Sequence, residues 1–415
     1  MFCRFEDRLA GRALQLDGAR DRIEARTPAE LQPALDAIEA ARRQGRWVAL
    51  LLDFELGEWL LPLPARDEAA RAFDRYVGAA TAEVREPDLA ELPRPRLRAL
   101  VFDAAHHEAP WQAGTATPGG IGASGGAGEI GGIGGVEGIS GIGNITPRLD
   151  QASYLAHIEA IRRGIGHGAF YQINYTMPLD MRVRGDRRAL YTRIAQRNPV
   201  AHAAYIEDGG QTVLSFSPEL FVRRRGDLLT TRPMKGTAPR DADPERDQAL
   251  GQALLASEKN RAENLMIVDL LRNDLGRLAE PGSVHVDALF TLERYPTVWT
   301  MTSTVTARAP HASLDDVLHA LFPCGSVTGA PKIAALAHIR HAEIAPRGLY
   351  CGSIGWLAPD GDFSLNVAIR TLVVDAGGHG VYGVGGGIVH DSEPDAEWQE
   401  CLWKARILDP ELDKP

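Results

Sequence analysis

A glycine-rich stretch divides this chain of 415 residues into two segments. Residues 114–143 contain 14 glycines among 30 residues, and Glu129 and Glu137 are their only charged side chains. Glycine loses more backbone entropy on folding than any other residue, and so few side chains cannot offset that loss by burial. We therefore expect residues 113–146 to form a flexible insertion. The folded protein then consists of residues 1–112 and residues 147–415.

The composition limits the partners that the protein can have. Apolar residues make up 44% and charged residues 24%, as in an ordinary globular protein, and the formal net charge is −10. A net negative charge provides no general attraction to nucleic acid or to an anionic membrane. The longest apolar run is Trp47–Leu52, far shorter than the roughly 20 residues of a membrane helix. We expect neither nucleic acid nor a membrane as a partner.

Cysteine usage and the N-terminal residues indicate the compartment. Cys3, Cys324, Cys351 and Cys401 are far apart in the sequence, and no pair has the CxxC spacing of a zinc or redox motif. The first eight residues are charged and lead into no apolar secretory segment. Both observations favour the reducing cytoplasm.

Hydrophobic periodicity predicts an α+β protein. No regular βαβ period is present, which favours two packed sheets of mixed or antiparallel strands with helices on the outside. Residues 1–112 are expected to be an α/β region that packs on the core formed by residues 147–415. The predicted helices are Pro28–Arg43, Tyr154–Gly164, Ser257–Leu278, Pro331–Arg340 and Pro394–Leu408; the predicted strands are Trp47–Phe54, Leu97–Phe102, Tyr171–Met177, Val213–Phe216, Val298–Ala307, Ile354–Leu357 and Val367–Val374, with a strand and glycine loop at Val381–Val389.

Two predicted helices carry carboxylates on a defined face. Glu263 is four residues before Ile267, which places it over the apolar stripe of its helix. Such a carboxylate needs a proton, a metal ion or an ion-pair partner such as Arg272 or Arg277. Glu397, Glu400 and Lys404 share one face of the last helix, and two adjacent glutamates attract a cation such as Mg²⁺. Spacing alone does not decide between a metal site and an ordinary charged surface.

Several segments contain groups suited to nucleophilic attack or anion binding. Lys235 lies between a proline and a glycine in Pro233–Thr237; a desolvated lysine there would be a nucleophile, whereas a solvated one would be an ordinary surface charge. The segment Ser326–Lys332 places hydroxyls, amides and a lysine at a predicted helix start. Arg370 is suited to a bidentate carboxylate contact, and Gly385–Gly387 would let backbone amides approach an anion.

Taken together, these segments resemble the chorismate-utilising enzymes, the family of anthranilate, aminodeoxychorismate, isochorismate and salicylate synthases. The resemblance covers residues 150–408. Within the family, Pro233–Thr237 is similar to the motif of the enzymes that make 4-amino-4-deoxychorismate, whereas anthranilate synthases usually carry Ala at position 235. Gln172 stands where isochorismate and salicylate synthases carry a water-activating lysine, which argues against water addition.

The resemblance implies a role for each candidate residue. Glu263 and Glu400 would hold Mg²⁺ with Glu397 nearby, and the metal would neutralise the chorismate carboxylate and assist departure of the C4 hydroxyl. Lys235 would attack C2 while Glu219 protonates the leaving hydroxyl, and ammonia would then add at C4 and expel the lysine. The remaining implied residues would bind the substrate carboxylates: Thr328, Tyr350, Arg370, Gly385, Gly386, Gly387 and Lys404.

The resemblance also implies a partner and leaves alternatives. The sequence contains no glutaminase triad motif, so a separate glutamine amidotransferase is expected to supply the ammonia. Anthranilate synthesis, which releases pyruvate, is the alternative reaction. A second alternative is a chorismate-binding subunit without catalytic activity that regulates an amidotransferase.

Overall fold

The computed structural model describes residues 1–65, 94–113, 141–295 and 298–408. Their helices and strands alternate irregularly along the chain. In order they are β1 (Phe2–Asp7), β2 (Arg12–Ala25), α1 (Pro28–Arg43), β3 (Trp47–Leu52), α2 (Gly57–Leu60), β4 (Leu97–Glu108), β5 (Gly141–Pro147), α3 (Gln151–Gly166), β6 (Gln172–Arg184), α4 (Arg187–Arg197), β7 (His202–Asp208), β8 (Gln211–Ser217), β9 (Leu220–Arg225), β10 (Leu228–Arg232), β11 (Met234–Pro239), α5 (Pro244–Ala256), α6 (Glu258–Gly276), β12 (His285–Arg294), β13 (Val298–Arg308), α7 (Leu314–Leu321), β14 (Gly329–Ala330), α8 (Lys332–Ala342), β15 (Ser353–Leu357), β16 (Phe363–Val367), β17 (Thr371–Val374), β18 (His379–Ile388) and α9 (Pro394–Ala405).

Antiparallel pairing connects the described strands into one hydrogen-bonded network. The long strand β2 pairs with β1 on one side and with β4 on the other, and so joins two halves of the network. These halves correspond to the two packed sheets predicted from the sequence. The first half runs β6, β18, β17, β8, β7, β1, and the second runs β4, β3, β15, β16, β9, β10, β13, β12.

The N-terminal region is part of this network and does not form a separate unit. β1 pairs with β7, and β3 pairs with β15, so residues 1–112 supply strands to both halves. The hydrophobic core is shared in the same way, because Leu50 of β3, Tyr175 of β6 and Val305 of β13 belong to one contiguous cluster. The predicted α+β fold is confirmed.

The predicted helices follow the local sequence closely. Helix α6 begins where the Ser257 side chain accepts a hydrogen bond from the Asn260 amide, which satisfies one free N–H of the first turn. Its buried face includes Ile267, Leu271 and Leu275, the stripe expected from the period of 3.6 residues. Helix α1 has the predicted bounds, and Pro28 stands in its first turn.

Three sequence predictions need correction. The predicted strand Val367–Val374 is two strands, because Arg370 adopts a left-handed conformation with φ of 50°. The predicted glycine loop after Val381 is instead continuous strand to Ile388. Residues 141–147, mostly placed in the insertion, form β5 and pair with β6. The rest of the predicted insertion, residues 114–140, lies outside the described residues.

None of the described helices is long and apolar enough to cross a membrane.

Close strand packing makes a specific prediction at Gly355, in the centre of β15. A Cβ atom there would lie 1.9 Å from the Ser364 carbonyl oxygen on the neighbouring strand, so Gly355→Ala forces two strands apart. We expect a loss of about 1–3 kcal/mol or more in the free energy of unfolding, measured by urea denaturation. Gly143→Ala in β5 is the matched control, because nothing lies within 4 Å of its Cβ position. Equal stability of the two variants would contradict the packing described.

Candidate active site

Three successive glycines at the end of β18 form the floor of the site. A Cβ atom at Gly385 would lie 2.3 Å from the Tyr175 carbonyl oxygen, so a side chain at that position would collide with β6. A Cβ atom at Gly386 would lie 3.0 Å from Glu397 Oε2 and 3.6 Å from Glu400 Oε1. The missing side chains therefore let α9 and the opposite half of the network approach the same stretch of backbone.

One edge of this glycine stretch has no strand partner among the described residues. β17 pairs with β18 only as far as Tyr382, and continuing the same register would place Arg370 opposite Val384. Because Arg370 is left-handed, the ladder stops there. Backbone groups of Gly385–Gly387 on that edge take no part in strand pairing with β17, and the Gly385 carbonyl oxygen accepts a hydrogen bond from Lys404 Nζ. The charge of Arg370 acts on Tyr382 of β18 by opposing the raised pKa that burial gives this phenol.

Lys235 reaches the site from the second half of the network. The β11–β13 register shifts between Met234 and Thr237, so Lys235 lies on a bulge, a feature that often redirects side chains near active sites. Its Nζ lies 3.2 Å from the Cβ position of Gly387. Gly236 has φ of 86° and packs against the Asn260 side chain, which fixes the backbone beside the lysine.

Gln172 approaches the same point from β6. Its Nε2 lies 2.3 Å from the Cβ position of Gly387, so the amide is next to the Lys235 amine. The residue is 2% exposed, and its buried Oε1 has no hydrogen-bond partner in the described part of the chain. Unpaired buried acceptors are rare in folded proteins, and a ligand donor would satisfy this one.

Glu219 is a buried carboxyl close enough to Lys235 for the charge of the lysine to act on it. It is 3% exposed between β8 and β9, and its Oε1 has no hydrogen-bond partner among the described residues. Burial raises the pKa of Glu219 to about 7, although a hydrogen bond from Ser326 and the charge of Lys235 oppose this shift. A carboxyl with this pKa is protonated in part near neutral pH and is therefore suited to donate a proton.

The carboxylates of α9 form a charged cluster above Gly386. Lys404 Nζ donates hydrogen bonds of 2.6 Å to Glu400 Oε1 and to the Gly385 carbonyl oxygen. Burial raises the pKa of Glu397, and the Glu400 charge adds to that effect. Burial also acts to raise the pKa of Glu400, but the charges of Lys404, Lys235 and Lys259 outweigh it and lower the pKa overall.

Glu263 is half-buried on α6, one turn after Lys259. The charge of Lys259 helps to lower the pKa of Glu400 on α9, so this face of α6 is near α9. Because residues four apart share a helix face, Glu263 is on the same face of α6 as Lys259. Arg272 pairs with Asp269, and Arg277 bonds backbone carbonyls of α7, so neither is seen to pair with Glu263. Among the described residues, no three His, Cys, Asp or Glu side chains form a metal-binding group. The Mg²⁺ assignment stays a prediction.

Of the two remaining predicted substrate residues, Thr328 is buried and Tyr350 is half-buried. The Thr328 hydroxyl donates to the Gly325 carbonyl oxygen, and the Thr328 carbonyl accepts from the Asn174 amide of β6. The Tyr350 ring occupies the space at Gly383, where a Cβ atom would lie 2.2 Å from the ring. Thr328 therefore contacts β6 and Tyr350 contacts β18, the two paired strands at the floor of the site.

Sequence reasoning missed some features of this site. Ser326 was placed among hydroxyls at a helix start, but its partner Glu219 is distant in sequence, and no local pattern links them. Lys332 was expected to attract an anion, yet its Nζ bonds Asp274 and the Leu321 carbonyl, so this lysine holds α8 against α6. Arg347, a fully buried arginine next to the site, has no pattern in the sequence that distinguishes it.

Comparison with known proteins agrees with this geometry. The chorismate binding enzyme family matches residues 133–410. Aminodeoxychorismate synthase component 1 of Klebsiella aerogenes is 45% identical over 262 residues, which are 63% of this chain and 58% of that protein. Anthranilate synthase component 1 of Methanothermobacter thermautotrophicus is 40% identical over 257 residues, which are 61% of this chain and 55% of that protein. The match thus spans just over half the length of these curated relatives.

A solved structure shows the same fold over nearly the whole chain. Anthranilate synthase component I of Streptococcus pneumoniae superposes with a TM-score of 0.74 at 22% identity, and the match covers 95% of this chain and 91% of that one. The N-terminal region, where the family match is absent, is therefore included in the shared architecture.

The raised pKa of Glu219 predicts a pH dependence of stability. The folded state holds this proton up to about pH 7, whereas the ordinary carboxyl loses it near 4.5, so the stabilisation present at low pH is lost as pH rises through 7. Relative to Glu219→Gln, the wild type should lose about 2 kcal/mol of unfolding free energy between about pH 5 and about pH 8. Urea denaturation at both pH values measures the difference. Relative to Glu280→Gln, a change at an exposed position that leaves Glu219 in place, wild type should show no such trend. A parallel course for wild type and Glu219→Gln would refute the assignment.

Proposed function

Because the chain belongs to the chorismate binding enzyme family, we propose that it is an aminodeoxychorismate synthase, which converts chorismate and ammonia to 4-amino-4-deoxychorismate. The name of the relative that is 45% identical supports this choice, as does the Pro233–Thr237 motif. The product would serve para-aminobenzoate and folate synthesis.

The observation that carries the proposal is the position of Lys235. Its amine lies beside the Gly387 backbone and the Gln172 amide, and its charge acts on the buried Glu219 carboxyl. A nucleophile, a proton donor and a backbone suited to carboxylates are the three elements that substitution on a cyclohexadiene acid requires.

The chemistry follows from these positions. The neutral Lys235 amine forms a bond to C2 while the C4–O bond breaks with allylic shift of the double bond, and Glu219 gives its proton to the departing hydroxyl, which leaves as water. Ammonia then bonds to C4 as the double bonds shift back, and the C2–N bond breaks to release the neutral Lys235 amine. The ammonium formed at C4 returns one proton to the Glu219 carboxylate, so both residues are regenerated. Gln172 carries no ionisable group, so it cannot take a proton from water as a base would.

The carboxylates on α6 and α9 suit a hard divalent cation. Glu397 and Glu400 approach each other closely enough to raise the pKa of Glu397, a repulsion that bound Mg²⁺ would relieve. Glu400 and Glu263 would hold the ion, with Glu397 adjacent. Bound there, Mg²⁺ would neutralise a substrate carboxylate. A neutralised carboxylate no longer favours the protonated form of the nearby lysine, so the neutral amine would form more readily.

The remaining assignments complete the proposal. Arg370, Tyr350, Thr328 and Lys404 would orient the two substrate carboxylates over Gly385–Gly387. The designation "component 1" of the relatives supports a partner, for which we propose a glutamine amidotransferase that supplies ammonia. The four cysteines are free and buried, in keeping with a reducing cytoplasm.

A product assay tests the reaction. Chorismate, Mg²⁺ and ammonium should yield 4-amino-4-deoxychorismate without pyruvate, as read by chromatography. Release of pyruvate with a fluorescent aromatic amine would instead identify an anthranilate synthase, a name that relatives at 40% identity carry. Thermal stabilisation by chorismate with no turnover would identify a regulatory subunit.

The nucleophile assignment has a separate test. Lys235→Ala should abolish both turnover and the covalent enzyme adduct detected by mass spectrometry after acid quench, because no other amine replaces the one lost. Glu280→Gln serves as the folding control and should keep both. The same adduct mass in Lys235→Ala would show that another residue attacks the substrate.

Metal binding is tested without turnover. Titration of the chelator-treated protein with Mg²⁺, followed by calorimetry, should give at least about tenfold weaker binding for Glu400→Gln, since a carboxylate ligand is lost. Glu159→Gln, at an exposed position on α3, should bind like wild type. Unchanged Mg²⁺ affinity in Glu400→Gln would remove this residue from the metal site.

A further inference from the structure

Arg347 is a buried cation next to the site with no role in the proposed chemistry. Its side chain is 1% exposed and pairs with Glu343, which is 6% exposed. Burying an ion pair costs several kcal/mol of desolvation per ion, and an apolar pair of similar volume would often serve stability equally well. The positions of the Arg347 donors indicate a reason other than stability for an arginine at this position.

Two of these donors bond backbone carbonyl oxygens of residues next to the site. Arg347 Nη1 donates to the Val327 carbonyl oxygen at 2.8 Å, immediately before Thr328. Nη2 donates to the Asn174 carbonyl oxygen at 2.6 Å, and Asn174 is the residue of β6 that pairs with Gly387. One guanidinium therefore connects the Thr328 turn with the strand that supports the glycine floor.

The partner carboxylate extends the same connection. Glu343 Oε1 accepts from both the amide and the hydroxyl of Thr176, each at 2.9 Å, as well as from Arg347 Nη2. Thr176 is the residue of β6 that pairs with Gly385. The ion pair thus holds β6 at the residues opposite the first and the last glycine of the floor.

The N-terminal region holds this arginine from the other side. The Glu55 carboxylate accepts from the Arg347 amide at 2.7 Å and from the Gly348 amide at 3.1 Å. The Phe54 ring centroid lies 4.1 Å from the guanidinium carbon, and the Phe54 amide donates to the Gly348 carbonyl oxygen at 2.7 Å. Both residues follow β3, outside the segment that the family match covers.

We infer that Arg347 is a positioning residue that sets the spacing between the Thr328 turn and the glycine floor, and that Phe54 and Glu55 hold it in place. This inference rests on the proposed function for the identity of the ligand, a dicarboxylate such as chorismate. It gives the N-terminal region a part in substrate binding. A lysine cannot replace this arginine, because a single ammonium cannot span both carbonyls with the planar fork of a guanidinium.

The test compares two buried arginines. Arg347→Lys should raise the KM for chorismate at least tenfold with a smaller change in kcat, because the cradle for the carboxylates is misplaced while Lys235 and Glu219 remain. Arg4→Lys is the matched control: the Arg4 side chain is 0% exposed, but its ion-pair partners are Glu6 on β1 and Glu108 on β4, both in the N-terminal region. Both variants should lose thermal stability to a similar extent. The inference would be overturned if the two variants were equally stable and their KM values for chorismate differed by less than twofold.

Hydrogen exchange in the absence of ligand separates this inference from the proposed function. In Arg347→Lys, peptides that contain residues 325–330 and 385–388 should exchange faster than in Arg4→Lys, whereas equal exchange in both would refute the positioning role. If wild type neither binds nor converts chorismate, the proposed function fails and the exchange pattern still decides the inference. Glu55→Gln replaces one acceptor oxygen with an amide group that donates, opposite a backbone N–H. It should also raise the KM for chorismate and speed exchange in the same peptides. This variant supplies both measurements if Arg347→Lys does not fold.

Discussion

The close approach of the β6 backbone and of side chains from α9, β6 and β11 to the glycine stretch of β18 is the constraint on which the site depends. A side chain at Gly385 would meet the β6 backbone, one at Gly386 would meet the carboxylates of α9, and one at Gly387 would meet Gln172 and Lys235. Since successive residues of a strand face opposite sides, only consecutive glycines leave space on both faces. The floor is therefore open to charged groups from two separate parts of the fold.

The charges gathered around this floor are closely balanced. Lys404 is bonded to Glu400 and to the floor itself, while Lys235 and Lys259 add positive charge that keeps Glu400 ionised. Glu219 is different, because burial outweighs its neighbours and leaves its pKa near neutrality. Neighbouring carboxyl groups in one site thus have different protonation states, which is the condition for one to bind a cation and another to donate a proton.

The rigid surroundings of the floor come from parts of the chain that are distant in sequence. β18 is held by β6 along its whole length, and β6 is held in turn by Arg347 and Glu343. The left-handed Arg370 ends β17 and so leaves the glycine edge open. These features together explain why an edge of backbone remains accessible in the interior of a large antiparallel network, where almost all such groups are paired.

Local patterns in the sequence predicted the elements whose cause is local. The bounds of α1 and the cap and buried stripe of α6 follow from a proline, a serine and a period of 3.6 residues, and each is confirmed. The break at Arg370 was missed, because β-favouring residues flank it and its conformation is imposed by contacts with other strands. The sequence predicts a loop for the glycine stretch, because its strand conformation depends on pairing with β6, more than 200 residues earlier in the chain.

The sequence by itself determined the class of fold, the resemblance to the family and the residue types available for chemistry. It placed Lys235, Glu219 and the α9 glutamates in motifs, but it could not give their separations, because those depend on how the two halves of the network pack. Only the tertiary structure decided that the amide of Gln172 lies beside Lys235 and that Lys332 forms an ion pair with Asp274. The physical reason is that hydrogen bonds, burial and charge act over a few ångströms in space, whatever the distance along the chain.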